Sequence, residues 1–82
     1  RGREQRERAD DHPLKKIYER RTNTIIQKMH RGTLDEKTAA VMKRLAKNKL
    51  ERAIADREYA AGSYEAEMTQ EALLAEAQNY LK

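Results

Sequence analysis

The sequence predicts an all-α protein, a three-helix hairpin or bundle with a long central helix that oligomerisation completes. Twelve alanines and many Lys, Arg, Glu and Gln residues favour helix. Apolar residues recur three and four positions apart, which is the spacing of one helix face. The 82 residues include twelve Leu, Ile and Val and no Phe or Trp, so the core is thin and a second copy is expected to add to it.

Residues 1–12 differ in composition from the remainder of the chain. They contain four arginines and four acidic residues, and they lack Leu, Ile, Val, Met and Tyr. Because these side chains cannot anchor to a core, the segment is predicted to be a charged flexible arm. A single helical domain is predicted over residues 13–82. It comprises a basic helical hairpin over 13–52 and an acidic region for self-association over 53–82.

The first helix is predicted over residues 13–31, since Pro13 suits a first helical turn and Gly32 suits the end of a helix. Residues 22–26 are rich in β-branched side chains, which lower helix propensity and would allow a kink. The apolar side chains of this helix share one stripe, formed by Leu14, Ile17, Tyr18, Ile25 and Met29.

The connection to the second helix contains the pattern of a capping box. In this pattern the Thr33 hydroxyl accepts a hydrogen bond from the Glu36 amide, and the Glu36 carboxylate reaches back. The second helix is predicted over residues 34–61. Its apolar stripe rotates by roughly a quarter turn along its length, which indicates contact with two different neighbours.

The third helix is predicted over residues 64–81, with Gly62 ending the helix before it and Ser63 as its cap. It is apolar on two sides, and a helix of this kind usually has two neighbours. In a chain of 82 residues the second neighbour is expected to be another subunit. The predicted oligomer interface consists of Tyr64, Met68, Leu73, Leu74, Tyr80 and Leu81.

Several classes of function lack the residues they need. Ser63 is the only serine and holds a cap position, while His12 and His30 have no partners at metal-ligand spacing. The absence of cysteine excludes disulfides and thiolate metal sites, and the glycines form no phosphate-binding loop. No apolar run approaches the roughly 20 residues of a membrane span. We therefore expect a cytoplasmic protein that is not an enzyme and takes no cofactor, metal, membrane or small-molecule substrate.

Charge is segregated along the sequence. Residues 13–52 hold twelve Lys and Arg against four acidic residues, whereas residues 53–82 hold two against six. Residues 1–12 are balanced, so the net charge of +4 is the +8 of the hairpin offset by the −4 of residues 53–82. A basic hairpin joined to an acidic helix indicates a polyanionic partner.

The first helix carries polar side chains on the face opposite its apolar stripe. Arg, Asn and Gln are the residues that bind base edges with two hydrogen bonds, and an α-helix fits the major groove of duplex DNA. A solvated helix face with no partner is the alternative interpretation. The side chains of this face are Lys16, Arg20, Asn23, Gln27 and Arg31.

The second helix adds basic residues that suit phosphate contacts. The sequence therefore predicts an accessory or regulatory protein that binds nucleic acid, duplex DNA in particular, and forms a homo-oligomer. The alternative is a helical protein-interaction or oligomerisation module, alone or as a fragment of a larger protein, whose basic hairpin meets an acidic protein surface. The predicted phosphate-binding residues are Lys37, Lys43, Arg44 and Lys47.

Overall fold

A computed structural model describes residues 13–82, and within that range the chain forms four α-helices and no strand. The helices are α1 (Pro13–His30), α2 (Glu36–Ala55), α3 (Ala61–Glu67) and α4 (Gln70–Leu81). The all-α prediction is confirmed. The predicted third helix is wrong in detail, because it is two helices, and α2 ends six residues earlier than expected. The predicted arm over 1–12 lies outside the described residues.

α1 runs without a break through residues 22–26, where the β-branched side chains would allow a kink. The hydroxyls of Thr22 and Thr24 donate hydrogen bonds to the carbonyls of Tyr18 and Arg20, each at 3.0 Å. Such bonds back to the preceding turn let threonine lie within a helix with its hydroxyl satisfied. The helix therefore stays continuous.

Gly32 ends α1, as the sequence predicts. Its φ of +79° lies in the left-handed region, which an L side chain adopts only at a cost. The Gly32 amide donates to the Met29 carbonyl at 3.1 Å, and the Thr33 amide donates to the Lys28 carbonyl at 3.0 Å. These two bonds form a Schellman motif, which satisfies carbonyls at the end of the helix.

Gly32→Ala is expected to destabilise the protein by about 1 kcal/mol, because alanine resists the left-handed conformation. The cost is conformational, since a Cβ at this position would meet nothing within 4 Å. Urea unfolding of the parent protein and of the Gly32→Ala variant would measure this loss of stability. Gly62→Ala is the matched control: Gly62 lies inside α3 with equally open space, so alanine should raise stability by up to about 1 kcal/mol. Equal effects at the two glycines would contradict the proposed origin of the cost.

The predicted caps of the second and third helices are wrong. α2 is capped by Asp35, whose carboxylate accepts a hydrogen bond from the Thr38 amide at 3.2 Å. Thr33 is unavailable as a cap because it belongs to the Schellman motif, where its hydroxyl donates to the Lys28 carbonyl at 3.0 Å. Ser63 lies inside α3, and the side-chain cap in this region is Thr69, which accepts from the Ala72 amide at the start of α4.

The core lies where α2 packs between α1 and α4, with α3 covering part of it. Contact with two helices of its own chain explains the rotating apolar stripe of α2. None of the helices within residues 13–82 is long and apolar enough to cross a lipid bilayer. The fully buried large side chains are Ile25, Met42, Tyr64, Met68 and Leu73.

Three residues of the predicted oligomer interface belong to this core. Tyr64, Met68 and Leu73 have no exposed surface, so a second copy cannot reach them, and the prediction is wrong for these three. The reason is the break at residues 68–69, which lets α3 and α4 turn both apolar sides inward. Leu74 is half-buried, whereas Tyr80 and Leu81 stay exposed.

Candidate nucleic-acid interface

The outer face of α1 holds the five side chains predicted to contact base edges. Leu14 and Ile25 turn the opposite face of the helix into the core, which leaves the polar face on the surface. The sequence pattern therefore predicts the side of the helix correctly. The five exposed residues are Lys16, Arg20, Asn23, Gln27 and Arg31, the last lying just beyond the end of α1.

The predicted phosphate-binding residues all lie on α2 and differ in exposure. Lys37, Arg44 and Lys47 are exposed, whereas Lys43 is half-buried. A half-buried lysine packs its aliphatic stem against neighbouring residues while the ammonium group reaches water. All four residues can thus present a positive charge to a partner.

α1 and α2 form an antiparallel hairpin. They pack against each other, and Pro13 at the start of α1 lines the same groove as Ile54 near the end of α2. The five-residue connection, residues 31–35, closes the opposite end. The fold thus places the two sets of predicted binding residues on neighbouring helices.

The cations of this hairpin surface have no acidic partners within the described part of the chain. Over residues 13–82 the ion pairs join Lys49 to Glu67 at 3.3 Å and to Glu76 at 2.9 Å. The positive charge of this surface is therefore not neutralised by ion pairs with the carboxylates of residues 13–82. The seven cations concerned are Lys16, Arg20, Arg31, Lys37, Lys43, Arg44 and Lys47.

Lys49 is a residue whose role the sequence analysis missed. Its side chain is 9% exposed and lies between two glutamates of the acidic region. The available signal was its spacing, because Lys49 falls three residues after Ala46 and four before Ala53 on the buried face of α2. Two of the six acids in residues 53–82 thus hold the fold together by pairing with a buried lysine.

Tyr59 extends this network, since its hydroxyl donates a hydrogen bond to the Glu67 carboxylate. The bond lowers the pKa of Glu67, and the Lys49 ammonium lowers it further against the opposing effect of burial. The same bond, together with burial, raises the pKa of Tyr59. Glu67 is therefore a carboxylate and Tyr59 a neutral phenol at neutral pH, as the network requires.

Acidification is expected to destabilise the fold through Glu67. The pKa of this carboxyl lies below its ordinary value of 4.5 in the folded protein, so its stabilisation is complete above that value and is lost as the pH falls. Tyr59→Phe removes the main cause of the shift. Thermal melts at several pH values should show that the variant loses less stability than the parent between about pH 5 and pH 3. Equal losses would show that the hydrogen bond does not couple to folding.

Comparison with known proteins gives one family. Residues 1–80 match a family of unknown function (DUF6076), and the chain belongs to that family. Neither the curated proteins nor the solved structures include a match to the chain. Family membership thus leaves the function to be argued from the residues of this surface.

Proposed function

We propose that this member of the DUF6076 family is a small, non-enzymatic accessory or regulatory protein that binds duplex DNA through α1 and α2, and that it acts in the cytoplasm as a homo-oligomer. The observation that supports the proposal is the set of seven hairpin cations without an ion pair to any acid of residues 13–82. A polyanion can bind such a surface without first displacing carboxylates. Phosphate neutralisation with release of counterions supplies nearly all of the non-specific affinity of DNA-binding proteins and a large share of their specific affinity.

The arrangement of charge favours DNA binding over the alternative, in which the polar face of α1 is solvated and has no partner. A helix that needs charge only for solubility commonly mixes acids and bases on its outer face. On the outer face of α1 the cations Lys16, Arg20 and Arg31 outnumber one exposed acid, Glu19, which lies one turn before Asn23 and about 100° around the helix from Arg20. Of the ten acidic residues in residues 13–82, six lie in α3, α4 and the residues before them, where two of them pair with Lys49.

α1 has the dimensions for contact with base edges. Its 18 residues span about 27 Å at 1.5 Å per residue, and the major groove is about 12 Å wide. Arg20, Asn23 and Gln27 lie on consecutive turns of its exposed face. Arginine binds guanine and asparagine or glutamine binds adenine, each through two hydrogen bonds. We therefore assign base recognition to α1.

α2 supplies the contacts that position the protein on the DNA backbone. Lysine is a mobile point charge, which suits phosphate oxygens better than the fixed geometry of a base edge. Lys37 and Lys47 are exposed on this helix, and neither pairs with an acid within residues 13–82. Their contribution to affinity is expected to be the same for every DNA sequence.

The salt dependence of binding to a labelled duplex tests the proposal. If six or more phosphates are neutralised, fluorescence anisotropy should show an affinity loss of about a thousandfold or more between roughly 50 and 200 mM salt. Absence of binding at the lower salt concentration would contradict DNA binding. It would favour the alternative, in which the basic hairpin binds an acidic protein surface.

Two classes of variant should have different effects on DNA binding. Asn23→Ala or Gln27→Ala should weaken a preferred site by about 1–3 kcal/mol and random DNA very little, because these amides contact bases. Lys47→Ala should weaken all sequences about equally and reduce the salt slope by about 1. Binding isotherms on both DNA types would separate the classes. Asn79→Ala, an exposed amide on α4, is the control that should change neither.

A further inference from the structure

A small surface pocket of about 90 Å³ lies where the end of α1 and the start of α4 meet α2. One water molecule needs about 10–15 Å³ of such space, so the pocket has room for a molecule of about six to nine non-hydrogen atoms. No residue of the proposed DNA-binding surface lines it. Three lining residues are polar and three are apolar: Lys28, Gln70 and Glu71, and Leu34, Met42 and Leu74.

The side-chain amide of Gln70 has a fixed orientation and an oxygen without a partner. Its Nε2 donates a hydrogen bond to the Arg21 carbonyl on α1 at 3.0 Å, so the amide cannot turn round without setting oxygen against oxygen. Its Oε1 is buried and accepts no hydrogen bond within residues 13–82. The Arg21 Nε atom is also buried without a partner, but the two atoms do not bond to each other and Arg21 does not line the pocket. A buried acceptor without a donor is costly, which indicates a ligand that donates to it.

Lys28 and Glu71 bring opposite charges to the same pocket without pairing with each other. Lys28 lies in the last turn of α1 and Glu71 in the first turn of α4, and the dipoles of the two helices favour these charges there. Both side chains are exposed, and the ion pairs within residues 13–82 are those of Lys49. The pocket therefore offers one cation, one anion and one neutral acceptor to a ligand.

We propose that this pocket binds a small zwitterionic α-amino acid with a short apolar side chain, such as valine. The ligand's ammonium group donates to the Glu71 carboxylate and to Gln70 Oε1, and its carboxylate accepts from the Lys28 ammonium. Its side chain lies against the apolar part of the pocket, where burial removes both surfaces from water. Valine has eight non-hydrogen atoms, which suits the volume of the pocket.

Ligands that carry a single charge match fewer of these groups. A carboxylate without an amine would leave Gln70 Oε1 unpartnered and would face the like charge of Glu71. An amine without a carboxylate would bring a second cation beside Lys28 and leave it unpaired. Inorganic phosphate lacks both a donor of positive charge and an apolar surface to cover Met42. The zwitterion is thus the ligand class that pairs all three polar groups.

Titration of the ¹⁵N-labelled protein with L-valine, followed by two-dimensional NMR, tests the proposal. The backbone amide signals of Lys28 and Gln70 should shift and saturate with a Kd of about 1 mM, as expected for so small a ligand. Isobutylamine and isovalerate, which are valine without its carboxylate or without its amine, should each bind at least about tenfold more weakly. Glycine, which keeps both charges but has no side chain, should also bind more weakly. Absence of saturation by valine, or equal binding of a singly charged probe, would overturn the proposal.

Variants with matched controls locate the binding site. Glu71→Gln and Lys28→Gln should each weaken valine binding at least about tenfold, because each removes one charged hydrogen-bond partner. Both positions are exposed, so circular dichroism should show an unchanged fold. Glu65→Gln and Lys82→Gln make the same charge changes at exposed positions outside the pocket and should leave valine binding unchanged. If the controls weaken binding as much as the pocket variants, long-range charge governs it and the proposal is wrong.

The role of the buried amide oxygen has its own test. Gln70→Met keeps the length of the side chain but removes the acceptor, so valine binding should fall at least about tenfold. A thermal melt checks that the loss of the bond to the Arg21 carbonyl leaves the protein folded. Unchanged valine binding in this variant would contradict the proposed contact. All of these titrations are made without DNA, so their outcome is separate from that of the DNA-binding experiments.

Discussion

Replacing Lys37, Arg44 and Lys47 together by glutamine is expected to weaken duplex DNA binding about a hundredfold at roughly 150 mM salt. Each cation that contacts a phosphate contributes about 0.9 to the slope of log affinity against log salt, so the slope should fall by nearly 3. The three residues are exposed, and none pairs with an acid of residues 13–82. The loss should therefore occur with little change in folding stability.

A charge-matched control separates local contact from overall charge. Changing Ala66, Ala75 and Gln78 to glutamate alters the net charge by the same three units on exposed positions of α3 and α4. This variant should lose at most a few-fold in affinity, because its new charges lie away from the hairpin. Anisotropy titrations of both triple variants at several salt concentrations measure the comparison. Equal losses would mean that net charge, and not the α1–α2 surface, governs binding.

The ends of α1 could be predicted because the residues that mark them restrict their own backbone conformation. Pro13 fits a first helical turn, and Gly32 adopts the left-handed conformation that other residues avoid. Both effects operate whatever the rest of the chain does. The predicted end of α1 accordingly lies one residue from the observed end at His30.

The region after α2 was not predictable from such signals. Gly62 and Ser63 have the residue types of a helix end and a cap, yet both lie within α3. Alanines at positions 60 and 61 favour helix from an earlier start, and Tyr64 is fully buried in the core. Its phenol finds no hydrogen-bond partner among residues 13–82, and burial raises the pKa of Tyr64 to about 12. Tertiary packing thus decides where this helix lies.

In the candidate site, too, one property could be predicted from the sequence and another could not: the exposure of side chains could, and their ion pairing could not. Exposure of Asn23 and Gln27 follows from helical periodicity, since their positions are opposite the apolar stripe of α1. Ion pairing does not follow from periodicity. Lys47 and Lys49 are two residues apart in sequence, yet Lys47 is exposed and unpaired with any acid of residues 13–82, while Lys49 is buried between Glu67 and Glu76. Only the packing of α4 against α2 distinguishes them.

Leu73→Ala is expected to reduce the free energy of unfolding by about 2–5 kcal/mol, through lost burial and the cavity left behind. Leu73 has no exposed surface and lies in the core that α4 shares with α2. A core of this size rarely supplies more than about 3–5 kcal/mol, so the variant could be largely unfolded in water. Leu73→Val, which keeps most of the side chain, then gives a measurable partial loss in urea unfolding.

The concentration dependence of this loss distinguishes a core residue from an interface residue. If Leu73 acts within its own chain, the stability difference between parent and variant is the same at every protein concentration. If it acted between subunits, the difference would grow as mass action favoured the dimer. Leu81→Ala provides the comparison, because Leu81 is 47% exposed and should cost less than about 0.5 kcal/mol in the dilute monomer. A loss for Leu73 that appears only at high concentration would show that its burial is completed by a second copy.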